Sequence, residues 1–366
     1  MPHLRKIVIQ DFRNIALQEM DFSPNVNCIS GGNGEGKTNL LDAIWYLSMT
    51  KSAFSSSDQF NCRYGTRSMA ISGRYAMENG TEARFCVRTG EHGKEMKRDD
   101  KPYRKFSEHI GTLPIVMVSP TDTSLVSESG EERRRFVNSV LSQLDPEYLS
   151  QVQQYLRLLS QRNSLLRAGK TDDSLMSTFE DRMEAVARPV YEKRKEFVGQ
   201  LRPVVERYYE AISGGREKVG IDYRSDLGKS SLAAMLRENR DRDTALGYTR
   251  DGIQRDDFLF TMDSHPIRRC GSQGQQKSFL VAVKFAQYEI MKQACGYPPM
   301  LLLDDLFDKL DMKRVENLLQ MVSGNEFGQI FITDSNKVRL RSIVDSITSD
   351  RAYFEAEGGV FTRIDE

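Results

Sequence analysis

One segment constrains this chain more than any other: Gly31-Gly32-Asn33-Gly34-Glu35-Gly36-Lys37-Thr38. A short apolar run, NVNCIS, precedes it, and the helical run NLLDAIWYLS follows. Gly-x4-Gly-Lys-Thr between a strand and a helix is a P-loop. Glycines turn backbone N–H groups inward around phosphates, Lys37 offers a point charge to the β- and γ-phosphates, and Thr38 offers a hydroxyl to Mg²⁺. Such a loop needs an acidic partner at the end of a buried strand, and Met300-Leu301-Leu302-Leu303-Asp304-Asp305 supplies it. In this reading Asp304 holds Mg²⁺ through water and Asp305 sits where an attacking water lies. Lys37, Asp304 and Asp305 are therefore the catalytic candidates, Thr38 and Asp304 the metal candidates, and ATP with Mg²⁺ the expected cofactors.

The chain has 366 residues, which suggests about two domains. Lys plus Arg equals Asp plus Glu at 52 each, which excludes a histone-like grip on nucleic acid by bulk charge but not a local basic stripe. No apolar run approaches the ~20 residues of a membrane helix, and charges interrupt the N-terminus too often for a secretory signal. Five scattered cysteines without CxxC pairs read as reduced thiols in a cytoplasmic protein, and no zinc site is expected.

The apolar period changes along the chain. From Met69 to about Met117 short alternating pieces read as hairpins. From Glu131 to Arg167, and again from Met176 to Ile212, the stripe is helical, with a break at Asp145-Pro146 and a stop at Gly214-Gly215. Strand–helix–strand alternation near the C-terminus implies a parallel sheet. The expected fold is α/β: a P-loop ABC-type ATPase head (1–120 plus 215–366) with an antiparallel β subdomain, and an inserted helical lobe (121–214).

Gly271-Ser272-Gln273-Gly274-Gln275-Gln276-Lys277 opens a long helix just before the acidic strand. It is a variant of the ABC signature, usually LSGGQ. Free N–H groups, a hydroxyl and a positive dipole end make a second anion site, although Ser272 also suits a plain N-cap. One monomer does not need two such sites. In the ABC architecture the signature of one subunit meets the ATP of the other, so Ser272, Gly274 and Gln275 are read as acting in trans within a head-to-tail homodimer. Asp311 matches the D-loop after the acidic strand. Arg13 and Asn14, after the first strand, stand where SMC-like ATPases place residues that reach the nucleotide. They join Gly31, Gly32, Asn33, Gly34, Glu35, Gly36, Lys37 and Thr38 as ATP-binding candidates.

From end to end the chain resembles the RecF family, SMC-related ATPases without the long coiled coil. The resemblance rests on DFRN (11–14), GGNGEGKTNLLDAI (31–44), SPTDTSLV (119–126), ERRRF (132–136), SQLDPEY (142–148), QRNSLL (161–166), SQGQQK (272–277) and LLLDDLFDKLD (301–311). It implies ATP-dependent dimerisation, binding of DNA at single-strand/double-strand junctions or gaps, replication-fork maintenance and recombinase loading with RecR/RecO-type mediator proteins. The chain departs from the family pattern at Ile253 and Gln254, where Pro and His are usual, and at Asp308, where Ser is common. Asp334 stands where transporter ATPases keep a switch histidine, and no clear Q-loop glutamine follows Ser119-Pro120. Both features imply slow hydrolysis with ATP binding intact.

DNA contacts are expected at Arg133, Arg134 and Arg135, with Arg157, Arg162 and Arg167 as further basic positions on the lobe. No aromatic–basic interleaving is read, so backbone contacts with little sequence preference are expected. The alternative function is the nucleotide-binding subunit of a membrane transporter. A nuclease or a small-molecule kinase finds no supporting acidic cluster or acceptor pocket.

Overall fold

The computed structural model describes all residues except 92, 170–171, 306–326, 346–347 and 365–366. The described residues form two compact units, Met1–Asp122 with Lys284–Glu366, and Thr123–Val283.

The first unit carries two sheets. Its strands are β1 (His3–Phe12), β2 (Ile15–Asp21), β3 (Val26–Ser30), β4 (Met69–Ala76), β5 (Glu82–Gly90), β6 (Gly93–Arg98), β7 (Lys101–Pro102) and β8 (Ile115–Val118). Beyond the second unit's β9 (Val219–Arg224), β10 (Asp257–Met262) and β11 (His265–Pro266) come β12 (Met300–Asp304), β13 (Ile330–Asp334), β14 (Arg351–Glu357) and β15 (Val360–Ile364). The antiparallel sheet runs β2-β1-β4-β5-β6-β7, and the other runs β15-β14-β3-β13-β12-β8. In the latter, every pair from β8 to β14 is parallel. β3, β12 and β13 are buried at every position, as their unbroken apolar runs require when both faces are covered.

The helix Lys37–Met49 is buried almost all round and contacts strands of both sheets. Its Leu40, Leu41, Ile44 and Leu47 share one core with Ile7, Ile71 and Phe85 of the first sheet and Ile29, Leu302 and Phe331 of the second. Parallel strands place their carboxyl ends along one edge, where open α/β sheets bind ligands. Asp304 is paired with Thr333, and Asp334 with Ser30, so the ends of β12, β13 and β3 stand side by side.

The second unit holds the helices Gly130–Leu144, Pro146–Arg167 and Asp173–Ser213 and the sheet β11-β10-β9. Asp145 ends the first helix and caps the second, accepting from the N–H groups of Glu147 and Tyr148, with Pro146 at the first helical position. Asp172 caps the 41-residue third helix, which Gly214 closes with φ 76°. The unit reaches further than the helical segment read at 121–214. It also includes β9–β11 and the first turns of the helix Gln273–Cys295, because Phe260 and Tyr209 pack on Phe279.

Candidate nucleotide site

Gly31 follows directly on β3, and the loop to Lys37 is shaped by positive φ at Gly31 (157°), Gly34 (86°) and Gly36 (105°). At Gly36 no side chain caps the helix Lys37–Met49, so its first N–H groups face the loop without a side-chain acceptor. That is the donor set an anion requires. Lys37 is only 4% exposed, and its ammonium donates to the carbonyls of Gly31 (2.8 Å) and Gly32 (2.9 Å), curling the loop over itself.

Thr38 Oγ1 donates to Asp304 Oδ2 at 2.8 Å. Asp304 Oδ1 accepts from Thr333 Oγ1 at 2.7 Å, and the same hydroxyl accepts from the Asp305 N–H at 3.1 Å. Burial, partly offset by these two hydroxyls, raises the Asp304 carboxyl above its ordinary range, with Asp305 adding repulsion and Lys37 opposing it. A buried carboxylate with neighbouring hydroxyl and ammonium groups is a site that a hard divalent cation relieves, so the donor set fits Mg²⁺ beside a nucleotide. Asp305 itself has φ 42°. Thr333 is a site residue that the sequence reading missed. Its only signal is its place at the end of the strand paired with the acidic one.

Two further elements brace the loop. Asn14 Oδ1 accepts from Asn39 Nδ2 at 2.7 Å, and a Cβ at Gly36 would meet the Asn14 amide at 2.8 Å. The turn between β14 and β15 closes the other side. Gly359 N–H donates to the Glu35 carbonyl at 3.0 Å, and Gly358 N–H donates to the Glu35 carboxylate. A Cβ at Gly31 would meet the Ala356 carbonyl at 2.5 Å, and one at Gly359 the Asn14 carbonyl at 2.4 Å. Glu35 is thus engaged with the C-terminal hairpin, a partner over 320 residues away in sequence.

Arg13 is brought close to the P-loop helix but not to the loop itself. Its guanidinium donates to Asp42 (2.8 Å), Ser52 (3.0 Å) and Asn61 (3.3 Å). At the place of a Q-loop, after β8, Asp122 accepts from Ser119 N–H at 2.7 Å and pairs with Lys284 at 2.8 Å. In the signature segment, Ser272 and Gln275 form a reciprocal capping box. Ser272 N–H donates to Gln275 Oε1 at 2.7 Å, and Gln275 N–H donates to Ser272 Oγ at 3.3 Å. Ser272 remains exposed, whereas the Gln275 amide also donates to Glu217 at 2.6 Å. Asp308 and Asp311 lie outside the described residues.

Comparison with known proteins decides the family. DNA replication and repair proteins RecF from Parabacteroides distasonis and Flavobacterium johnsoniae are 43% and 41% identical to this chain. The first match covers 99% of this chain and 100% of that protein, the second 94% and 97%. The chain belongs to the RecF family. A family model described as an AAA domain also matches residues 6–213. A solved structure of the recombination mediator protein RecF with ATP is similar over 100% of this chain and 98% of its own, at 26% identity and a TM-score of 0.90. The Smc head domain from Pyrococcus furiosus, 15% identical with a TM-score of 0.58, shares the fold over 100% of this chain and 96% of its own. These matches agree with the ABC-type head and lend nothing to a transporter subunit.

The RecF-like lobe uses its arginines differently from the sequence reading. Arg133 is 6% exposed. It pairs with both oxygens of Asp257 (2.9 and 3.2 Å) and donates to the Leu125 and Glu128 carbonyls. Arg162 is fully buried between Asp243 (2.7 Å) and Glu180 (3.2 Å). Neither guanidinium faces solvent, so both are packing residues, not a DNA surface. Arg134 donates to the Asp256 carbonyl, and burial lowers its affinity for a proton. Arg135 is exposed but paired with Glu131 and Glu132. Arg157 and Arg167 are exposed. The divergent Ile253-Gln254 pair is also structural. Ile253 is buried, its carbonyl accepting from Arg194, and Gln254 accepts from the Tyr155 hydroxyl and donates to the Asp251 carbonyl.

Among the described residues no helix is long and apolar enough to cross a membrane, and no group of three or more His, Cys, Asp or Glu side chains is placed to hold a metal ion.

Proposed function

We propose that this chain is a cytoplasmic, ATP-gated DNA-binding protein of recombinational repair and replication-fork maintenance. Two copies close head to tail around ATP and Mg²⁺, bind DNA at gaps or junctions, and hydrolyse ATP slowly. RecR/RecO-type mediator proteins are its proposed partners. The observation that carries the reading is the meeting of Thr38, Asp304 and Lys37 at one strand edge, below uncapped helix N–H groups.

The chain's own residues divide the work. Backbone N–H groups of 31–38 and the Lys37 ammonium bind the phosphates, Lys37 exchanging its carbonyl partners for phosphate oxygens. Thr38 and Asp304 hold the cation, which when bound neutralises charge on the β- and γ-phosphate oxygens. Thr333 keeps Asp304 turned toward Thr38 and fixes the backbone of Asp305. Asp305 orients the attacking water. It is one methylene shorter than the Glu of transporter ATPases, and near-attack geometry is sensitive to such a displacement. Exposed Ser272 at a helix start presents a hydroxyl and a dipole end to the partner subunit's γ-phosphate. ATP occupancy thereby becomes dimer closure.

Sedimentation velocity with and without ATP and Mg²⁺, and with and without gapped DNA, tests the reading. A monomer that dimerises only with ATP and Mg²⁺, and carries gapped DNA only in that state, supports it. Nucleotide binding without any change in association or DNA affinity would overturn it.

A further inference from the structure

Arg133 and Arg135 of the lobe are held in ion pairs, and the first unit has basic residues of its own. The segment between the P-loop helix and β4 carries Phe60-Asn61-Cys62-Arg63-Tyr64-Gly65-Thr66-Arg67, an aromatic–basic interleaving absent from the sequence reading. Phe60 is 75% exposed and Tyr64 101%. Two bare aromatic rings within five residues are a costly surface for a chain in water unless something covers them.

This segment is held in one shape. Tyr46 OH donates to Asp58, and Lys94 pairs with the same carboxylate at 2.9 Å. Cys62 forms a β-bridge with Phe12, Arg13 N–H donates to the Asn61 carbonyl, and Arg63 N–H donates to the Asp11 carbonyl. Thr66 N–H and hydroxyl both turn back to the Arg63 carbonyl. The exposed rings therefore sit on a loop that is bonded on both sides.

Exposed guanidiniums lie on the loop and on the strands it leads into. Arg63 comes no nearer than 3.9 Å to Asp11, and Arg67 is exposed without an ion pair among the described residues. The loop leads into β4, whose Ala70 stands opposite Arg88 of β5. Arg88 and, two pairs along the same face, Arg74 are also exposed without an ion pair among the described residues. Flat rings beside exposed guanidiniums match a strand that offers both base faces and phosphates. Duplex DNA, its bases stacked on one another, offers these rings no open base face.

We propose that Phe60 and Tyr64 stack on the unpaired bases of a DNA single strand while Arg63, Arg67, Arg74 and Arg88 hold its phosphates. This rests on the DNA-binding reading above and names the strand state that this surface selects. Arg13 bonds Asn61 of the loop and Asp42 of the P-loop helix with one nitrogen, so the loop is tied to the helix that follows the P-loop.

The test measures fluorescence anisotropy of labelled oligo-dT and of a blunt duplex of equal length against the full chain with ATP and Mg²⁺. F60A/Y64A should weaken oligo-dT binding roughly tenfold or more while leaving duplex and ATP affinity unchanged. Y64F, which keeps the ring, should bind as wild type. R67E/R88E should weaken oligo-dT binding and flatten its salt dependence. Oligo-dT binding by F60A/Y64A equal to wild type overturns the stacking surface while leaving the DNA reading standing, and directs these rings to a protein partner. Equal loss of duplex and single strand also overturns it. Wild type that binds neither these probes nor gapped DNA overturns the parent reading and this one together.

Discussion

Thr333 does two things with one hydroxyl: its proton goes to Asp304 and its oxygen takes the Asp305 N–H. Removing it leaves a buried carboxylate with one donor fewer and an N–H unpaired, a loss of about 1–3 kcal/mol. Thr333→Val should therefore slow single-turnover hydrolysis about tenfold or more while changing equilibrium ATP affinity little; a variant that hydrolyses as wild type sinks the role. Beside its proposed contact with phosphate, the Lys37 ammonium ties the carbonyls of Gly31 and Gly32 together. Lys37→Ala should weaken triphosphate binding more than diphosphate binding, by roughly 1.5–3 kcal/mol for the lost charged contact, as read by nucleotide titration. Unchanged ATP affinity would remove Lys37 from the site. At this scale the P-loop and acidic pair were legible in sequence because their spacing is itself the chemistry. Thr333 was not, because its role exists only once β12 and β13 pair. Nor was the burial of Arg133 and Arg162, since an arginine stripe reads the same whether its carboxylates come from across the fold or from nowhere.

At the scale of elements, what the sequence left unread is mostly long-range bracing. Strand–loop–helix order, the lobe helices and the Asp145-Pro146 junction follow from local period and capping chemistry. The C-terminal hairpin closing on Glu35 does not, because nothing near Gly358-Gly359 announces a partner at the other end of the chain. Gly359→Ala would place a Cβ at 2.4 Å from the Asn14 carbonyl, at a backbone φ of 83° that also disfavours it. It should loosen the loop and weaken ATP binding measurably, although the residue is no phosphate ligand; wild-type affinity would show that the hairpin is dispensable. His109 braces the other end of the P-loop helix. Its Nε2 bonds the Leu47 carbonyl at 2.7 Å, and it is fully buried. Burial pulls its pKa from 6.5 down to about 4. The unfolded chain takes up this proton first as pH falls, so stability is intact above about 6.5 and declines as pH drops toward 4. The full loss is on the order of 3 kcal/mol. His109→Gln should be less stable at neutral pH yet show a shallower decline across that window in thermal or denaturant unfolding. An unchanged slope would mean that another group controls it.

For the whole molecule, neutrality and two exposed features, Ser272 and the 60–67 loop, carry the proposed association. Neither copy has the bulk charge to hold DNA alone, so two copies closed on ATP would have to add their contacts. Ser272→Arg puts a long charged side chain where the partner's γ-phosphate is proposed to lie. It also removes a helix cap, which by itself costs about 1 kcal/mol. Ser272→Ala removes the same cap without adding bulk, and separates the two effects. The alanine variant should be slightly less stable but still dimerise with ATP and Mg²⁺. The arginine variant should bind ATP as a monomer, fail to dimerise in sedimentation velocity, and lose gapped-DNA binding at the same time. If Ser272→Arg stays monomeric in ATP and still binds gapped DNA as tightly as wild type, closure is not what admits DNA, and the chain grips it as a single copy.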